Sequence, residues 1–214
     1  MLTFQTTRAL FFACLLTAGS VMLCERSSVR AQEGGNGATR QKSLLAVRRL
    51  TNRDALERQR AAEELARLAD AGQQNLVEGY RLQEKNARVR LALDWALYRM
   101  GKSEKLFSIV QSLDSSRSNQ AEAYLAQLET PEPLYKFLGR VNGNTQIKLI
   151  ESFARNGDAQ TLEQLESFNT SPDPQIAAAA QFAAREINRR LAQPPTNKAI
   201  RPRQTADAPT PPDS

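Results

Sequence analysis

Residues 86–101, NARVRLALDWALYRMG, decide how this chain folds, because four other stretches repeat them in weaker form. Aligned on a small or aliphatic centre, the copies fall at Ala62, Ala92, Ala121, Ile150 and Ala179, spaced by 30, 29, 29 and 29 residues. Three positions on, every copy carries a large apolar residue: Leu65, Trp95, Tyr124, Phe153 and Phe182. One further on stand Ala66, Ala96, Leu125, Ala154 and Ala183. A fixed period of this length marks a supersecondary unit that buries its apolar face only by stacking on its neighbours. The column of large residues is therefore expected to form one packed seam from unit to unit, with aromatic side chains dominating its energetics.

Between the copies the sequence supplies turns and shorter helices. Gly72, Gly101 and Gly157 follow the long segments where a residue of positive φ often ends a helix. Ser103 and Asp158 come next as expected caps of the short helices. Residues 130–133 (TPEP) and 171–174 (SPDP) place proline in a first helical turn, where its missing N–H costs nothing, and Asp173 is the expected cap of the last long helix. Asn142-Gly143-Asn144 interrupts the chain before the fourth long segment. The short partners show one-sided stripes: Leu76/Val77/Tyr80, Leu106/Ile109/Val110, Leu134/Phe137/Leu138 and Leu162/Leu165. Residues 42–51 (KSLLAVRRLT), with Leu44, Leu45, Val47 and Leu50, form a first helix capping the open end.

The ends read differently. Residues 1–31 are expected to be a secretory signal: Arg8 precedes an uncharged run at 9–24, and Val29-Arg30-Ala31 puts small or branched residues where cleavage after Ala31 would need them. That run is short for a membrane span, so no membrane association is expected beyond the signal. Residues 32–40, with Gly34, Gly35 and Gly37, are a flexible lead-in, residues 41–191 hold the repeats, and residues 192–214 are an extended or disordered tail holding six of the ten prolines.

Composition excludes much chemistry. There is no histidine, and the two cysteines, Cys14 and Cys24, lie in the signal segment. The mature chain then has no Cys/His zinc site and no Ser-His-Asp or Cys-His unit, so no catalytic residue, metal or cofactor is expected. Paired acids such as Glu63/Glu64 and Glu163/Glu166 fit a solvated helix face better than an acid–base pair. The net charge is +6, of which the signal contributes three arginines against one glutamate, leaving +4 spread along the chain. Dispersed charge argues against nucleic-acid binding, which gathers Lys and Arg on one face.

The repeat resembles the short HEAT-like units of the phycobilisome-lyase (E-Z type) group. The branched position of that pattern is filled by Val89, Ile147 and Ile176, the basic one by Arg60, Arg90 and Lys148, and the acidic-proline lead-in by Asp173-Pro174. Gln59 and Ser118 depart from the branched position, Asn119 and Ala177 from the basic one. The resemblance implies an all-α, right-handed α-solenoid of about five hairpins over residues 41–191. In such repeats the basic residue makes contacts between units, and Glu63, Glu64, Asp94 and Glu151 are its expected surface partners. The concave face, formed by the second helices at 74–82, 103–113, 133–140 and 159–167, is the expected binding surface. Arg81, Lys105, Tyr135, Lys136 and Arg140 are its candidate contacts, although none is identified as a binding residue. An exported, non-enzymatic module for a protein or peptide partner follows. The resemblance also implies an alternative, a bilin lyase or isomerase.

Overall fold

A computed structural model describes residues 26–193, with side-chain surroundings from residue 37 onward; the expected signal up to residue 25 and the tail from residue 194 lie outside it. The described chain is all-helical. Its ten α-helices are α1 (Arg26–Arg49), α2 (Ala55–Leu68), α3 (Gln74–Gln83), α4 (Ala87–Arg99), α5 (Leu106–Gln111), α6 (Ser118–Leu125), α7 (Glu132–Leu138), α8 (Gly143–Asn156), α9 (Ala159–Glu166) and α10 (Pro174–Ala192). The five repeat copies are α2, α4, α6, α8 and α10, and α3, α5, α7 and α9 alternate with them.

All five repeat centres are buried, as are Leu65, Trp95, Tyr124 and Phe153 in the column of large residues. The Trp95 and Tyr124 rings lie parallel within 2°, with centroids 5.5 Å apart, and Tyr98 also stacks on Trp95, at 5.4 Å. Phe153 meets Tyr135 of α7 at 5.7 Å. The column stops at Phe182, which is 46% exposed. It stands on the last long helix, and no further described helix follows to cover it.

The stacking is less uniform than the repeat suggests. α2 packs broadly on α4, and α8 on α10, but α6 is only eight residues long and touches α4 over a small area. The second half instead reaches the first through a 3₁₀ turn at Ser112–Asp114, which contacts both α6 and α8. The first helix also differs from expectation. Its buried face is Ser43, Ala46, Val47 and Leu50, the i, i+3, i+4, i+7 stripe, while Leu44 and Leu45 point outward. Helical backbone extends from this packed face back to Arg26 and so runs through residues 32–40, read from the sequence as a flexible lead-in. Once a turn is packed, each added residue gains a hydrogen bond without a new nucleation cost.

Helix ends follow the sequence in part. Asp158 and Thr161 form a reciprocal capping box at α9, and Asp173 accepts from the Gln175 amide with Pro174 in the first turn of α10. Ser103 does not cap; it opens a 3₁₀ turn whose flanking residue is Lys102. Of the three glycines expected at positive φ, only Gly101 has it, at 109°. α2 instead closes on Ala69 at φ 49°. Gly157 is extended, and the need for glycine there is steric. A Cβ would lie 2.6 Å from the Phe153 carbonyl oxygen and 2.6 Å from Ile187 Cδ1 of α10. Beside it the Arg190 guanidinium donates to the carbonyls of Gly157, at 2.7 Å, and Arg155. A cation on the last carbonyls of α8 suits the negative end of that helix.

Two outcomes test this packing. Trp95→Ala should cost about 3–5 kcal/mol, whereas Phe182→Ala should cost less than ~1 kcal/mol because most of a half-exposed ring's burial is never gained; urea midpoints of the two variants measure the contrast. Gly157→Ala should destabilise by about 1–3 kcal/mol, while Gly79→Ala, in the interior of α3 with open space around its Cβ position, should stabilise by about 0.5–1 kcal/mol.

Candidate functional site

The residues expected on the concave face divide once their partners are known. Arg81 of α3 makes a two-pronged ion pair with the buried Asp94 of α4, at 2.8 and 3.2 Å. Lys105 and Lys102 both hold Glu78, Lys105 at 3.1 Å. The Tyr135 hydroxyl shares hydrogen bonds with Asp158, at 3.1 Å, and Thr161, at 2.8 Å, and its ring packs on Phe153. These three side chains join helices together. Lys136 lies over the Phe137 ring at 5.1 Å and remains exposed. Arg140 is exposed without a partner among the described residues.

The acids expected to neutralise the basic column go elsewhere. Glu64 pairs with Arg49 of α1 at 2.7 Å, and Asp94 with Arg81. Glu63 accepts from the Tyr124 hydroxyl at 2.8 Å and from Gln59 at 2.9 Å. Arg60 meets Glu57 one turn back at 2.6 Å. Arg90 has no partner among the described residues. Helix crossing explains two of these departures: Glu64 and Asp94 each face a neighbouring helix that brings its own cation, so those pairs form between elements.

A residue that sequence reading passed over anchors the α1–α2 and α3–α4 loops. Arg58 binds Glu84 through two bonds, 2.7 and 2.9 Å, and donates to the carbonyls of Asn52 and Arg53 at 2.9 Å each. Glu84 also accepts from the Asn86 amide at 2.8 Å. The Arg58 guanidinium thus holds the Glu84 carboxyl below its usual range, and the same bond raises Arg58. Beside this pair lies an open groove of about 350 Å³, walled by Leu50, Tyr80, Val89 and Leu93. Tyr124 is pushed well above the ordinary tyrosine range, mainly by burial. Asp158 is held low, chiefly by the Thr161 amide.

A smaller cleft of about 60 Å³ lies where α4, α5 and the start of α6 meet, with Arg90, Asp94, Ser108, Ser112 and Arg117 in its walls. Arg117 had no sequence signal, since it falls outside the repeat's basic position. Among the described residues no group of three or more His, Cys, Asp or Glu side chains is placed to hold a metal ion. No described helix is long and apolar enough to cross a membrane.

No protein-family model matches the chain, and no curated protein matches it either. Among solved structures, a crystal structure of an engineered protein aligns with 76% of this chain and 84% of its own, at 20% identity and a TM-score of 0.32.

The Glu84 shift gives a pH dependence of stability. A carboxyl with a lowered folded-state pKa stabilises the fold above its unfolded value and loses that contribution as pH falls through the folded value. Glu84→Gln should therefore lower the urea midpoint at pH 7, and the gap from wild type should close below about pH 4; midpoints at pH 7, 5 and 3 check it.

Proposed function

We propose that this chain is a non-catalytic binding or scaffolding module for a protein or peptide, built as a right-handed solenoid of about five HEAT-like hairpins and exported by its N-terminal segment. One observation carries the reading: the carboxylates that meet a neighbouring helix or turn are engaged in holding the fold. Glu84 is tied to Arg58, Asp94 to Arg81, Glu78 to Lys102 and Lys105, and Asp158 to Thr161 and Tyr135. What remains at the surface is recognition chemistry. Lys136 and Arg140 are exposed on and just after α7, one of the second helices of the pairs. Arginine is a side chain favoured at interface hot spots. An extended array spreads its contacts over several units, so affinity comes from many modest interactions and not from an enclosed pocket.

The test is affinity capture with the tagged full chain, expressed in its own source and recovered from the extracytoplasmic fraction. One protein should be recovered in stoichiometric amount, and Lys136→Glu with Arg140→Glu should reduce recovery about tenfold, as loss of a hot-spot charge does. Failure to recover any stoichiometric partner overturns the module; undiminished recovery by the double variant overturns the face assigned to it.

A further inference from the structure

The geometry points to the cleft between α4, α5 and α6 as a receptor for a carboxylate side chain of an acidic partner segment, gripped by Arg90 and Arg117. The inference rests on the binding role proposed above and names the partner chemistry at one place in the array.

Both arginines line the same cleft, and among the described residues neither guanidinium has a hydrogen-bond or ion-pair partner. Their nearest candidate acids in sequence are taken. Asp94, one helical turn after Arg90, would ordinarily neutralise it along α4. It is buried instead in the two-pronged pair with Arg81. Asp114, three residues before Arg117, accepts from the Asn144 side chain of α8. Two guanidinium groups without an ion-pair partner among the described residues thus border one concavity. The Ser108 hydroxyl, half-buried in the same wall, has no partner of its own among the described residues, while Ser112 donates to the Ser108 carbonyl at 2.8 Å. Two guanidinium forks and a free hydroxyl are an oxyanion-binding set.

Size and charge select the carboxylate. A space of about 60 Å³ admits the head of one acidic side chain, since a liquid water molecule takes roughly 30 Å³. The Asp94 carboxylate in the wall is neutralised by Arg81 but still disfavours a dianion more than a monoanion. The planar two-bond pairing is also the one this chain uses twice, in Arg58–Glu84 and Arg81–Asp94. The cleft opens to solvent, so an extended acidic segment can cross it and insert one side chain.

The experiment titrates the isotope-labelled full chain with the peptide acetyl-Glu-Glu-Glu-Glu-amide at low ionic strength, followed by NMR, with inorganic phosphate in a parallel arm. Saturable shifts concentrated at Arg90, Ser108, Ser112 and Arg117 are expected, with affinity falling about tenfold or more in Arg90→Gln and in Arg117→Gln, the scale of a lost charged hydrogen bond. Arg60→Gln, whose guanidinium is held by Glu57 on α2, should leave the titration unchanged. Neither cleft arginine holds a described partner, so both variants keep the fold, and amide spectra verify that directly. Shifts scattered over all surface cations, equal affinity in the cleft variants, or saturable phosphate binding without peptide binding would each overturn the assignment. Captured partner that binds the cleft variants undiminished removes the cleft and leaves the module. A peptide that saturates the cleft when no partner is captured keeps the cleft and removes the module.

Discussion

The fold depends on how closely α2 and α4 can approach. Ala61, Ala62 and Ala66 on one helix and Ala92 and Ala96 on the other are almost completely buried, and each ends at a single methyl group. Small side chains there let the two helices lie against each other while Leu65 and Trp95 fill the space beside them. The aromatic layer then continues outward, with Tyr124 laid flat on Trp95. At the other end Ala179, Ala180 and Ala183 of α10 play the same part against α8, where Gly157 admits Ile187 and Arg190 closes the helix end. Close packing of this kind tolerates neither a missing ring nor an added methyl group at its tightest points.

Much of this was legible in the sequence because its cause is periodic. A 29–30-residue spacing of small and large apolar residues fixes which face of each long helix is buried, and the observed burial of Ala62, Ala92, Ala121, Ile150 and Ala179 follows it. The turn at Gly101 and the caps at Asp158 and Asp173 were legible for a similar reason, since each solves a local backbone problem with local residues. Phe182 has the sequence context of a seam residue, whereas its exposure depends on whether another helix covers it. Leu44 and Leu45 have the hydrophobicity of a buried stripe but fall off the helical phase that Ser43 and Ala46 set.

The polar architecture was much less legible. Ion pairs such as Arg58–Glu84 and Arg81–Asp94 join residues 26 and 13 positions apart, and only the crossing of helices brings them together. The candidate contacts Arg81, Lys105 and Tyr135 were chosen by residue type, and all three prove to be fastened to neighbouring helices. Arg117 was invisible for the converse reason. Its significance comes from a cleft shared with Arg90 and from the Asp114 carboxylate turning to Asn144 of α8. Residue type identifies what a side chain can do; the presence or absence of a partner determines what it does.

The hydroxyl of Tyr124 on α6 reaches Glu63 on α2, 61 residues earlier. In an ideal linear array each unit senses only those adjacent to it, and fraying can proceed inward from either end one unit at a time. A strap from α6 to α2 makes peeling away the N-terminal pair break a bond held from beyond α4. The repeat copies on either side of α4 in sequence are thus joined by a bond of their own, a contact beyond nearest neighbours in the chain.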